Sequence, residues 1–265
     1  MKNIIRSQLY QLKKNRLLFI IFIGVNVVSI AVGMMMSAMT DNEYELGASY
    51  FIATLFSICA VFIEVIPAAV AGLVCAGDFK DKTSNYEIMS GSLRAEAYFG
   101  RIVVSVVLSV IMCAVSMALS PIIVTAVYGW GTSVTVESFV IRVLVSTLPI
   151  IKMTCFCCLL SFVIKSSAAV MAVHMGGIIL VTTIINMTGG MGGLTEGLFA
   201  PFDFMKVVSY SSYSTYGLNN EDLVWMLFRN ELPSRLLAPL AALSLLFSAA
   251  YIIIGYHYYH KDDLS

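Results

Sequence analysis

Four polar residues sit where polar residues are expensive. Glu64 lies thirteen residues into an apolar run that begins near 51, and Lys152 lies thirteen residues into another that begins near 139. His174 and Asn26 fall inside two further runs. An ionisable side chain inside a bilayer costs roughly 2.5–3.5 kcal/mol on insertion scales, so each such residue needs a reason to be there. At about 1.5 Å of helix rise per residue, Glu64 and Lys152 share one depth. Opposite charges at equal depth can pair and offset each other's cost. A structural Glu64–Lys152 pair is therefore one reading. A substrate-facing or proton-linked Glu64 is a second, and charges that reach a watery cavity are a third. His174 reads as a satisfied polar contact and Asn26 as interhelical glue. Pro67, three residues after Glu64, removes a backbone bond to Ile63 and predicts a kink.

Other chemistry finds no support in the residues. No catalytic residue is assigned, since no Ser-His pair, H-E-x-x-H or paired aspartates occur in the apolar runs. No metal site is assigned either. Cys59, Cys75, Cys113, Cys155, Cys157 and Cys158 all fall in apolar runs, and nothing completes a zinc set around the C-x-x-C at Cys155 and Cys158. They read as small apolar residues at helix contacts.

The elements that carry these residues follow from composition. The chain has 265 residues, 59% hydrophobic and 12% charged. Soluble domains carry about 25% charged residues, and this chain lacks the charge to cover a surface in water. The formal net charge is zero, which gives no pull toward nucleic acid. The expected fold is an all-α membrane protein with six transmembrane helices, near 17–39, 51–76, 102–128, 139–164, 167–188 and 234–257. The first run reads as a retained span, with no small-x-small cleavage site after it.

Charge places the ends. Lys2, Arg6, Lys13, Lys14 and Arg16 precede the first span, and Asp41, Glu43 and Glu45 follow it. Both termini are then cytoplasmic by the positive-inside rule. With that orientation the inner segments hold eleven Lys and Arg and six acids, and the outer ones four and nine. Residues 1–16 read as an interfacial amphipathic helix with Ile5, Leu9 and Leu12 as its apolar positions; a disordered basic tail is the alternative. Residues 189–233, opened by the Gly189–Gly193 stretch and rich in aromatics, read as short amphipathic elements at the outer interface.

The segment 77–101 is the longest inner connection, with alternating charges. Thr83 and Ser84 are candidate caps for a short helix through Met89. Ser90-Gly91-Ser92 interrupts it, and a second helix starts near Leu93 and feeds the third span. Such a segment reads either as a docking surface for a soluble partner or as a solvated loop. Its residues Asp78-Phe79, Thr83, Ser90-Gly91, Arg94, Tyr98 and Gly100-Arg101 resemble the second-to-third-span connection of permeases of the ABC transporter type-2 class, which share the membrane fold of the G-subfamily exporters. Lys82, Gly91 and Arg101 depart from the family's Gly, Pro and Lys.

The resemblance implies a coupling helix over 80–89, with Lys80, Asp81, Lys82, Thr83, Ser84, Asn85, Tyr86 and Glu87, together with Arg94, contacting a separate nucleotide-binding ATPase subunit. It implies a connecting helix over 1–16 and re-entrant helices over 189–233. It also implies a working unit of two permeases, a homodimer or a related pair, in a bacterial cytoplasmic membrane. The chain has no G-x-x-x-x-G-K-[ST] loop. ATP and Mg would sit on the partner, and this chain would carry no cofactor and no enzyme activity of its own. The expected cargo is a hydrophobic or amphipathic molecule, with a peptide toxin or antimicrobial peptide favoured, because Met-, Phe- and Ile-rich spans offer an adaptable apolar wall. A drug or lipid exporter of the same class is the alternative. An ion-coupled secondary carrier is another, although no internal repeat of spans supports it.

Overall fold

The computed structural model describes residues 2–39, 48–54, 56–77, 93–132, 134–187, 208 and 234–261. Its described elements are helical throughout: α1 (Lys2–Lys14), α2 (Arg16–Met39), α3 (Ala48–Thr54), α4 (Phe56–Ile63), α5 (Val65–Ala71), a π-helical turn (Gly72–Ala76), α6 (Arg94–Tyr128), α7 (Val136–Ile164), α8 (Ser167–Met187) and α9 (Ser234–Lys261).

Four helices, α2, α6, α7 and α9, are long and apolar enough to cross a membrane. The protein is an integral membrane protein by that measure. With 35 residues, α6 is about 52 Å long, against a hydrocarbon core of about 30 Å. It starts at Arg94 rather than near 102, so the second helix expected in the connection and the third span are one unbroken rod, with Leu93 as its extended N-cap. The apolar stretches 61–76 and 167–180 are shorter.

Where a second span was expected over 51–76, the chain makes a broken rod. Ala48 N and Ser49 N, orphan donors of the first turn of α3, bond the Gly129 and Trp130 carbonyls at 3.1 and 2.7 Å. The helix then breaks at Glu64, three residues before Pro67, the place a missing proline N–H predicts. The Ile63 carbonyl that Pro67 leaves without a ladder partner faces the Cys113 thiol of α6 at 4.0 Å. A second irregularity, the π turn, brings Gly72 against the start of α8. A Cβ there would lie 3.2 Å from the Ser167 carbonyl oxygen.

The core lies where α5, α6 and α7 meet. Ile63, Ile66, Val70, Met117, Ile150 and Met153 are fully buried there. α2 packs on α6, α9 on α7, and α8 on α5. Ser105, Ser109, Cys113, Ser116 and Ser120 form a buried stripe of small residues along α6 that lets neighbouring backbones approach closely. Asn26 on α2 uses the stripe. Its Nδ2 donates to Ser116 Oγ at 3.0 Å and to the Phe22 carbonyl at 2.7 Å. The bond to Ser116 joins α2 to α6. The outward faces are apolar, with Ile20, Ile122, Leu144, Leu246 and Ile253 all strongly exposed; lipid is the solvent that suits them.

α1 is a separate helix. Asn15 breaks the chain, and its Oδ1 accepts from Leu17 N at 3.0 Å, capping α2. The buried face of α1 is Ile4, Gln8 and Leu12, with Ile5 half-buried and Leu9 turned outward. Of the apolar positions read from the sequence, Leu12 is buried, Ile5 half-buried and Leu9 exposed. The protein contact, mainly on α6, takes the i, i+4, i+8 row and leaves Leu9 beside the basic side.

Candidate functional site

Two constellations hold the residues singled out in the sequence. One is the joint at the end of the bundle that carries α1. Arg94, Tyr98, Gly100 and Arg101 occupy the first two turns of α6, and each joins α6 to another helix. Arg94 Nη1 donates to the His260 carbonyl at 3.1 Å. Tyr98 Oη donates to the Ile252 carbonyl at 2.6 Å. The Ile4 side chain of α1 lies over Gly100, where a Cβ would meet its Cγ2 at 3.2 Å. Arg101, 1% exposed, donates from Nη1 to Tyr259 Oη at 3.0 Å.

Aromatic packing fills the space between them. The Tyr98 ring lies 5.0–5.6 Å from the centroids of Phe99, Phe162, Tyr256 and Tyr259. That range is normal for offset and edge-to-face aromatic pairs. The approach of α9 is close because position 255 is glycine. A Cβ at Gly255 would sit 2.7 Å from Tyr98 Oη. Sequence reasoning missed Gly255, Tyr256, Tyr259 and His260. A signal was present, since Tyr256 and Tyr259 are three residues apart and share one helix face with Gly255. Lys80, Asp81, Lys82, Thr83, Ser84, Asn85, Tyr86 and Glu87 lie outside the described residues, as does most of 189–233.

The other constellation is the buried polar group around Glu64. Glu64 is 1% exposed, and neither carboxylate oxygen takes a hydrogen bond from any described residue. No hydrogen bond joins those oxygens to Lys152, the partner in one of the three readings of Glu64. Equal depth fixes height along the membrane normal but not the side of the helix from which a side chain leaves. Lys152, also fully buried, has its Nζ 5.9 Å from the centroid of the Phe247 ring on α9. His174 is buried on α8, the helix that packs on α5. Its Nδ1 lies 3.4 Å from Cys157 Sγ on α7, and its Nε2 has no partner among the described residues.

All six cysteines are free, buried thiols. No group of three or more His, Cys, Asp or Glu side chains that could hold a metal ion occurs among the described residues. No protein-family model matches the chain, and no curated protein matches it.

Proposed function

We propose that the chain is the permease subunit of an ATP-binding-cassette exporter in a bacterial cytoplasmic membrane. In this reading it has six spans, cytoplasmic termini, a separate ATPase subunit and a second permease copy. The observation that carries the reading is the joint at the foot of α6. The segment 78–92, resembling a coupling region, feeds directly into Arg94, and the next two turns are tied to α1 and α9. A displacement delivered to that segment by a nucleotide-driven partner would move α1, α6 and α9 together rather than fray one helix end. The unbroken α6 rod would carry the displacement across the membrane. Two broken or shorter apolar units, 48–77 and α8, with the four long helices, support the count of six. The buried serine and cysteine stripe and the apolar outer faces suit a bundle in lipid carrying a hydrophobic or amphipathic cargo, with a peptide favoured over a drug or a lipid.

Tyr86→Ala and Glu87→Arg test the coupling. A small docking helix concentrates its energy in a few anchors. Both variants should fold and reach the membrane, lose transport, and no longer retain or stimulate the ATPase. Transport and ATPase copurification unchanged in both would reduce 78–92 to a solvated loop. Transport of a peptide panel into vesicles, with drugs and lipids as separate arms, identifies the cargo class. Accumulation driven by a proton gradient without ATP would replace the exporter reading by a secondary carrier.

A further inference from the structure

Read from the sequence, α1 meets the membrane with the apolar positions Ile5, Leu9 and Leu12. In the folded chain the buried row of α1, Ile4, Gln8 and Leu12, is taken by protein, mainly α6. What α1 turns away from the bundle is different in kind. Arg6, Leu9, Tyr10, Lys13 and Lys14 are all exposed, Leu9 by 49% and Tyr10 by 60%. These positions are three or four residues apart, so they form one continuous patch on the side opposite the buried row. Lys14 Nζ lies 4.7 Å from the centre of the Tyr10 ring, within cation–π range. Residues 2–16 contain no Asp or Glu, so α1 brings no negative charge to the patch.

Packing also fixes the level of the patch. α2 and α6 run parallel in one register, with Asn26 against Ser116 and Gly33 against Val124. Arg16, ten residues before Asn26, therefore stands near the level of Val106 on α6. At the other end of α1, Ile4 lies over Gly100. Six residues of α6 separate those levels, about 9 Å of rise, whereas the α1 segment between them is about 18 Å long. α1 thus lies obliquely within a layer about as thick as a headgroup region. The single residue Asn15 divides it from α2, whose first turns expose Leu17, Phe19 and Ile20 as the acyl chains require.

We propose that the exposed patch of α1, Arg6, Leu9, Tyr10, Lys13 and Lys14, is a binding surface for the headgroups of anionic phospholipids. The guanidinium and ammonium groups meet the headgroup phosphates, and Leu9 and Tyr10 rest at the boundary with the acyl chains, where amphipathic rings are favoured. With the buried row given to α6, charge rather than deep apolar insertion supplies the membrane contact of this helix. Two half-exposed apolar side chains between the cations, at the level where the hydrocarbon begins, favour lipid over an acidic protein surface as the occupant. The proposal rests on the chain spanning a bilayer; it does not rest on the exporter reading or on an ATPase partner.

Native mass spectrometry of the purified full chain, titrated with phosphatidylglycerol or with phosphatidylcholine of the same acyl chains, tests it. The chain should retain phosphatidylglycerol more tightly. Each basic residue near an anionic surface is worth about fivefold, so R6Q/K13Q/K14Q should lower that preference about a hundredfold. K165Q/K261Q, which removes two exposed cations elsewhere, should keep it. Equal retention of the two lipids by the unmutated chain overturns the proposal, as does a triple variant with the full preference or an equal loss in K165Q/K261Q. If the triple variant does not fold, R6Q and K13Q singly should each weaken the preference about fivefold, and no change in either overturns the assignment. A triple variant that keeps the lipid preference but loses a copurifying protein makes the patch a protein contact instead.

Discussion

Gly255→Ala is a small substitution with a large expected penalty, and the structure names the one atom responsible. The new methyl would stand 2.7 Å from Tyr98 Oη, closer than real Cβ contacts come. Tyr98 is fully buried among rings of α7 and α9, and its hydroxyl is held by the Ile252 carbonyl at 2.6 Å. Retreat therefore sacrifices a hydrogen bond worth about 1 kcal/mol, and an overpacked core adds about 1–3 kcal/mol. Alanine returns about 0.5–1 kcal/mol through helix propensity. The net expectation for G255A is a loss of about 1–3.5 kcal/mol.

Tyr98→Phe alone should cost about 1 kcal/mol, for the lost hydrogen bond. It also deletes the clashing oxygen. The next atoms around the new methyl are Leu159 Cδ1 and Tyr98 Cζ, both at 3.6 Å, an ordinary contact. In the Y98F background G255A should then be neutral or mildly stabilising. The double variant should be at least as stable as Y98F, a coupling of about 2–4 kcal/mol. Unfolding in mixed micelles, followed with a thiol-reactive dye, measures this, since all six cysteines are buried until the fold opens. A G255A penalty of equal size in both backgrounds would refute the packing of α9 on α6.

Glu64→Gln and Lys152→Met should each lower stability, because each leaves one buried charge without the other, and the double variant should recover most of the loss. Losses that add to within about 0.5 kcal/mol in the double-mutant cycle would show that the two are not partners. Asn26→Ala and Ser116→Ala should each cost about 0.6–1.7 kcal/mol and should not add, since each deletes the same interhelical bond at 3.0 Å; additive losses would count against it. For topology, single cysteines at the exposed positions Glu137 and Lys261, in a background with the native cysteines replaced, should label from outside the cell and only after permeabilisation, respectively. Labelling of position 261 in intact cells would overturn the inside placement of the C-terminus.

Much of the fold was legible because lipid imposes a simple rule. Backbone groups must be satisfied within a segment, so runs of about 20 apolar residues declare helices before any contact is known. Pro67 announced the break at Glu64, and Asn26 announced a contact between helices. The contact partners were another matter. Nothing along the chain says that Cys113 stands against the carbonyl freed by Pro67. Nor does the chain say that Tyr98 closes on Gly255, 157 residues away.

Helix identity, the polar residues within the membrane and the amphipathic character of the first helix were thus determined by composition and period alone. These are properties of a segment and its solvent. The tertiary structure decided azimuth, the side of each helix that meets a neighbour. It turned α1 onto Ile4, Gln8 and Leu12, fused the inner helix with the third span into one rod, and set Tyr98 of α6 against Gly255 of α9. Depth is additive along a helix and can be counted from the sequence. Azimuthal pairing depends on which helices pack together, and only the folded bundle supplies that.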